Sequence, residues 1–181
     1  MALEALRAGQ TLLYPTDTIW GIGCDACNAD AVERIYAVKQ RDHAKSMLVL
    51  SGESMLSGAM PADVRALLLE CERPTTVVMP RDLIDAALAD NLPAQDGTVG
   101  VRVPRMAFCQ TLLAGLGHPI VSTSANFSGE PSPTRYEDIS AALKGRIDCC
   151  LEDCPSFHHP DIGSSRIIKI TTTGEVVVIR D

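Results

Sequence analysis

The segment TVGVRVPRMAFCQTLLAGLGHPIVSTSANFSG, Thr98 to Gly129, decides the fold. Thr98–Val103 alternates β-branched residues and predicts a strand. Met106–Leu116 predicts a helix, stopped by Gly117. Pro119–Thr123 predicts a second strand, running into the Ser/Gly/Pro loop Ser124–Pro133. Strand, helix and strand in quick succession are the signature of helices packed on a sheet.

The same alternation extends outward. Leu3–Ala8 reads as a short helix ended by Gly9, and Thr11–Tyr14 as a strand stopped by Pro15. Thr16–Ala26, with two glycines and few helix formers, reads as a loop. Asp30–Val38 is an amphipathic helix with Asn28 or Asp30 as its cap. Met47–Leu50 and Thr75–Met79 are strands, and Pro61–Cys71 between them is a helix with Pro61 in its first turn. Asp82–Asn91 is a short helix or an irregular excursion. Tyr136–Leu143 is a helix. Arg166–Ile170 and Glu175–Ile179 flank Thr172-Thr173-Gly174 as a terminal hairpin. The expected class is α/β of the α+β type: one domain over residues 1–181, with a mixed parallel and antiparallel sheet and flanking helices.

Composition narrows the function. The chain has 181 residues, 46% of them apolar and 22% charged, ordinary values for a soluble protein with a full core. Its formal net charge is −7. An acidic chain does not hold nucleic acid by bulk charge, so any anionic ligand needs a local cluster of cations. Seven cysteines in a chain this long fit a reducing compartment. The opening MALEALRAGQ has no apolar core of a signal peptide, and no run is long enough to span a membrane. The expected location is the cytoplasm.

No phosphate loop, dinucleotide fingerprint or nucleophile elbow is present. Four polar stretches instead follow predicted elements, and strand ends are where open α/β sheets bind ligands. Tyr14–Gly23 carries two threonines, Asp17 and the only Trp; it is either a capped turn or part of a site. Lys39-Gln40-Arg41, with Lys45 beyond, either complements a helix dipole or clamps an anion. Arg102 lies between valines in a strand. It meets either an acid of the protein or an anion from outside, and the anion is the favoured reading. Ser122–Gly129 is either a hydroxyl-rich turn or an oxyanion cradle. Cys24 and Cys27 form a CxxC, and Cys149, Cys150, Cys154, His158 and His159 cluster later. Together they could ligate zinc, though the second cluster lacks tight spacing. Cys71 and Cys109 read as core.

Four motifs in this order, PTDTIWGIGCDA (Pro15–Ala26), KQR (Lys39–Arg41), VGVRVP (Val99–Pro104) and PIVSTSANFSGEPSP (Pro119–Pro133), resemble the YrdC-like threonylcarbamoyl-AMP synthases. The resemblance runs from about Leu12 to Arg180. It implies a single α/β domain whose twisted mixed sheet surrounds a concave cleft, with no additional C-terminal domain. It implies a nucleotidyltransferase that makes L-threonylcarbamoyladenylate and pyrophosphate from L-threonine, bicarbonate or CO2, and ATP. The product serves a downstream tRNA threonylcarbamoyl transferase.

The resemblance also distributes roles. Thr18, Arg102, Ser122 and Ser165 would bind threonine. Lys39 and Arg41 would be catalytic, near the reacting carbamate and phosphates. Arg41, Lys45, Thr98, Ser124, Asn126, Ser132 and Arg180 would bind ATP, with Mg²⁺ on the triphosphate and no metal held by the protein itself. This chain departs from the family pattern at Trp20, where Tyr or Phe is frequent, and at Lys45-Ser46-Met47, where Lys-Pro-Leu is usual. It also departs at Glu72–Thr76, which lacks a Gly, and at Arg166, which replaces a Thr. Thr123–Pro133 is the candidate cover over the intermediate, on its Gly and Pro content. A different class, a double-stranded RNA-binding or ribosome-associated module on the same fold, would allow weak RNA binding. The charge of −7 argues against it.

Overall fold

A computed structural model describes residues 1–42, 47–152, 163–171 and 175–181. Its helices are α1 (Ala2–Arg7), α2 (Ala29–Lys39), α3 (Ala62–Leu69), α4 (Ala107–Leu116) and α5 (Ala141–Lys144). Its strands are β1 (Leu12–Tyr14), β2 (Gly21–Asp25), β3 (Leu48–Leu50), β4 (Thr75–Pro80) and β5 (Thr98–Arg102), followed by β6 (Ile120–Ser124), β7 (Cys149–Cys150), β8 (Arg166–Ile170) and β9 (Val176–Arg180). They form one nine-stranded sheet in the order β7-β1-β2-β6-β3-β5-β4-β8-β9. The pairs β1–β7, β3–β5 and β4–β8 are parallel and the others antiparallel, so the sheet is mixed as expected.

Local chemistry explains the ends. Asn28 caps α2, its side chain accepting the Ala31 N–H at 3.1 Å. Gly117 stops α4 in the left-handed region at φ 78°, and Ser140 caps α5 through the Leu143 N–H at 3.2 Å.

Period-two alternation splits the interior into two cores, one on each face of the sheet. Leu13, Val49 and Val121 face one side, with Ile35 of α2 and Val64 and Leu68 of α3. Leu12, Tyr14, Leu50 and Ile120 face the other, with Leu6 of α1 and Cys109 and Leu113 of α4.

Three expectations change. Gly21–Asp25, read as loop, is strand β2, paired to both β1 and β6. Tyr136–Leu143 is not one helix: Tyr136–Asp138 is a 3-10 turn and α5 follows the Ser140 cap. Cys149–Cys150 is an unforeseen strand beside β1. In the open region after β4 the structure has a single 3-10 turn, Arg81–Leu83. The predicted hairpin turn, Thr172–Gly174, lies outside the described residues, though β8 and β9 pair antiparallel as the hairpin requires.

Candidate active site

Helices α1 and α4 cover only part of the second core's face of the sheet. Ile120 and Leu50 lie under them. Two residues farther along β6 stands Ser122, on the same face but beyond the helices. Register places Ser122 between Gly23 and Leu48, Leu48 beside Gly100, and Gly100 beside Val78. Ser122, Leu48, Gly100 and Val78 make one transverse row, the floor of a cleft of about 300 Å³.

Two floor positions depend on small residues. A Cβ on Gly100 would lie 3.3 Å from both Leu48 Cβ and Thr76 Cγ2, and one on Gly21 would lie 3.2 Å from Ser122 Oγ. Their glycines keep the floor low enough for a ligand to approach backbone.

The turn between β1 and β2 forms one wall. Thr16 is buried; its hydroxyl donates to the Ile19 carbonyl at 2.7 Å and accepts the Thr18 N–H at 3.2 Å. The Thr16 and Thr18 hydroxyls are hydrogen-bonded at 3.0 Å, which orients Thr18 at the cleft. Asp17, between them, takes an Nη1–H of Arg102 on one carboxylate oxygen and the Arg105 N–H at 2.9 Å on the other. Arg102 is only 3% exposed, so this partner is what permits its charge there. The acid of the protein is therefore present, against the favoured reading of an external anion alone. Arg102 still lines the cleft, and its Nε has no partner.

The opposite wall comes from the C-terminal strands. Ser165 is buried, its hydroxyl bonded to Thr76 Oγ1 at 2.8 Å, while Arg180 donates to the Ser165 carbonyl through Nε at 3.1 Å and Nη2 at 2.7 Å. Arg41 and Ser132 complete the lining. Arg41, Arg102 and Arg180 face the cleft with no carboxylate among its described lining residues, a local positive field in an acidic chain.

The structure thus brings Thr18, Arg41, Arg102, Ser122, Ser124, Ser132, Ser165 and Arg180 to one cleft. Lys39 stands behind the lining. It is 2% exposed, and its ammonium donates to the carbonyls of Ser124 and Asn126. Its own carbonyl accepts the Ser128 N–H at 3.3 Å and the Ser128 hydroxyl at 3.0 Å. Burial, reinforced by Arg41, pulls the Lys39 pKa down to about 8. Burial also lowers that of Arg41. Asn126 accordingly acts on Lys39 rather than on the cleft wall. Thr98 shares the strand face of Gly100 and Arg102 but is outside the lining, its hydroxyl given to Asp96 at 2.6 Å. Lys45 lies outside the described residues.

Sequence reasoning missed Asp17 and Thr76, which touch Arg102 and Ser165. Both had a signal. Asp17 is the only acid between Pro15 and Asp25, and Thr76 is in phase with Val78 on the floor.

The zinc expectation divides. Cys24 is fully buried and faces the first core, while Cys27, two residues past β2, is partly exposed. Burial raises both thiols, Cys27 to about 11, so neither is a reactive thiolate at neutral pH. Cys154, His158 and His159 lie outside the described residues.

The family model described as "Telomere recombination", covering Sua5, YciO and YrdC, matches residues 4–181, and the chain belongs to that family. A Chromohalobacter salexigens protein named threonylcarbamoyl-AMP synthase is 37% identical over 148 residues, 78% of each chain. An Acinetobacter baumannii protein of the same name is 31% identical over 188 residues, 97% of this chain and 95% of that one. The solved structure of P. abyssi Sua5 complexed with L-threonine superposes with a TM-score of 0.80 at 27% identity, covering 99% of this chain and 52% of that one. This chain therefore spans about half the length of the P. abyssi protein. E. coli YciO matches in fold, with a TM-score of 0.79 at 24% identity over 99% of this chain and 86% of that one. Among the described residues no helix is long and apolar enough to cross a membrane.

Proposed function

We propose that this chain is an L-threonylcarbamoyladenylate synthase: L-threonine, bicarbonate or CO2, and ATP give threonylcarbamoyl-AMP and pyrophosphate. One observation carries the reading. A buried arginine, Arg102, sits among the small hydroxyls of Thr18, Ser122 and Ser165, beside two further arginines. That pocket suits a small hydroxylated zwitterion next to a polyanion. The related Sua5 structure with L-threonine supports the amino acid, and the names of the relatives support the reaction.

Threonine's amine and CO2 form a carbamate and release a proton. A carbamate oxygen then attacks the α-phosphorus of ATP, and pyrophosphate leaves with the bond electrons. No protein nucleophile is required. The work of the chain is alignment and neutralisation of two anions. Arg102 pairs with the threonine carboxylate through N–H groups not spent on Asp17. Thr18, Ser122 and Ser165 surround the side chain. Arg41 faces the carbamate and phosphates. Lys39 fixes the Ser124–Asn126 segment against which ATP lies, and Ser132 and Arg180 extend the nucleotide side. Lys45 and Thr98 are assigned to that side by family likeness. Mg²⁺ enters with the triphosphate. The labile product passes to a tRNA threonylcarbamoyl transferase in the cytoplasm.

The test is pyrophosphate release from ATP and Mg²⁺ with threonine and bicarbonate omitted in turn. Release that needs both is expected. Folded protein that releases none with every substrate present overturns the reading.

A further inference from the structure

The cleft leaves one half of the CxxC unexplained. Strand β2 begins at the cleft with Gly21 and ends at Asp25, about 13 Å away by strand rise. At that far end Asp25, Cys27 and His118 bring one carboxylate oxygen, one thiol sulfur and one imidazole nitrogen within 4.8 Å of one another. His118 Nδ1 lies 3.0 Å from Asp25 Oδ2. Asp25 Oδ1 accepts the Cys27 N–H at 2.8 Å, which fixes carboxylate and thiol on one turn.

We propose that Asp25, Cys27 and His118 form a binding site for one divalent ion of the zinc class, with water as fourth ligand. The donor set decides the class. Thiolate, imidazole and carboxylate together are too soft for Mg²⁺ or Ca²⁺ and match Zn²⁺ and Co²⁺. Distances are close to those needed. Tetrahedral bonds of about 2.0–2.3 Å set ligand atoms about 3.3–3.8 Å apart, so the His118–Asp25 pair at 3.0 Å must open slightly while the cluster stays within its 4.8 Å span. The frame is rigid: Asp25 pairs with Ile120 across β2 and β6, and the Ala26 N–H donates to the Pro119 carbonyl at 3.0 Å. His118, half exposed, can turn its ring to admit the ion between itself and Asp25. Binding forms the metal–sulfur bond and sends the thiol proton to solvent. Cys24 takes no part, being fully buried in the core on the sheet face served by α2 and α3.

An ion here would clip the entry of α2 to the exit of α4, remote from any Mg²⁺ that accompanies ATP. The experiment is a Co²⁺ titration of the chelator-treated full chain under reducing conditions, read by absorption. The expected result is one ion per chain with a sulfur-to-cobalt charge-transfer band in the near ultraviolet. Cys27→Ser abolishes the band, and His118→Ala weakens binding at least about tenfold. The double substitution Cys149→Ser, Cys150→Ser leaves it unchanged. No charge-transfer band in folded wild type, or a band that survives Cys27→Ser and His118→Ala, overturns the proposal. None of these readouts depends on synthase activity.

Discussion

Lys39 shows how a single buried charge couples binding to pH. With its pKa near 8 the folded chain sheds a proton that the unfolded chain, at the ordinary lysine value, still holds. Between those values the unfolded state binds more protons, so this group's contribution to stability rises with pH. The penalty of the buried ammonium is fully present below about 8. Activity moves the other way, because the neutral amine no longer draws in the Ser124 and Asn126 carbonyls with a full charge. Pyrophosphate release is expected to decline through about pH 8, and Lys39→Arg to shift that limb upward. Arg41→Ala leaves the fold intact and nearly abolishes turnover, since its charge acts on the transition state; circular dichroism and pyrophosphate release together check this. Asp17→Asn weakens the partner of a buried guanidinium. It is expected to cost about 1–3 kcal/mol in denaturant unfolding and to raise the KM for threonine more than that for ATP.

At the scale of elements, β2 explains why part of the fold was illegible. Gly21-Ile22-Gly23-Cys24-Asp25 has no run of β-branched residues, and two glycines speak against a strand. Those glycines are imposed from outside. A Cβ on Gly23 would run into the Val121 carbonyl and lie 3.0 Å from the Tyr14 ring. Only the folded neighbours reveal that requirement. Gly23→Ala is therefore expected to destabilise the chain by about 3 kcal/mol, because the obstacle is backbone and cannot swing away; thermal unfolding measures it. Strand β7 has two residues and no pattern to detect. By contrast α2, α4, β4, β5 and β6 were readable, because each carries its own apolar period and its own stop signal. The site was legible to the same degree. Arg102 announced itself as a charge among valines, whereas Asp17 became meaningful only when the fold carried it across to that arginine.

Across the whole molecule, charge and exposure are unevenly spread. The net charge is −7, yet the cleft gathers three arginines. Among the described residues the outermost strand, β9, pairs only with β8 and leaves Val176, Val177, Val178 and Ile179 about half exposed. A free apolar edge of this kind recruits other strands. Val178→Lys is expected to raise the temperature at which heated protein begins to scatter light, with pyrophosphate release unchanged.

The order of strands in the sheet differs from their order in the chain. The Thr16–Gly21 wall faces a floor built from residues between 48 and 124 and a far wall supplied by Ser164, Ser165, Ile167 and Arg180. A ribosome delivers these parts one after another, and the far wall arrives last. The growing chain can pair β2 with β6 long before Ser165 meets Thr76. Until that contact forms, the floor and the first wall make an open trough bearing Arg102, and the compartment closes only when β8 pairs with β4 and β9 with β8.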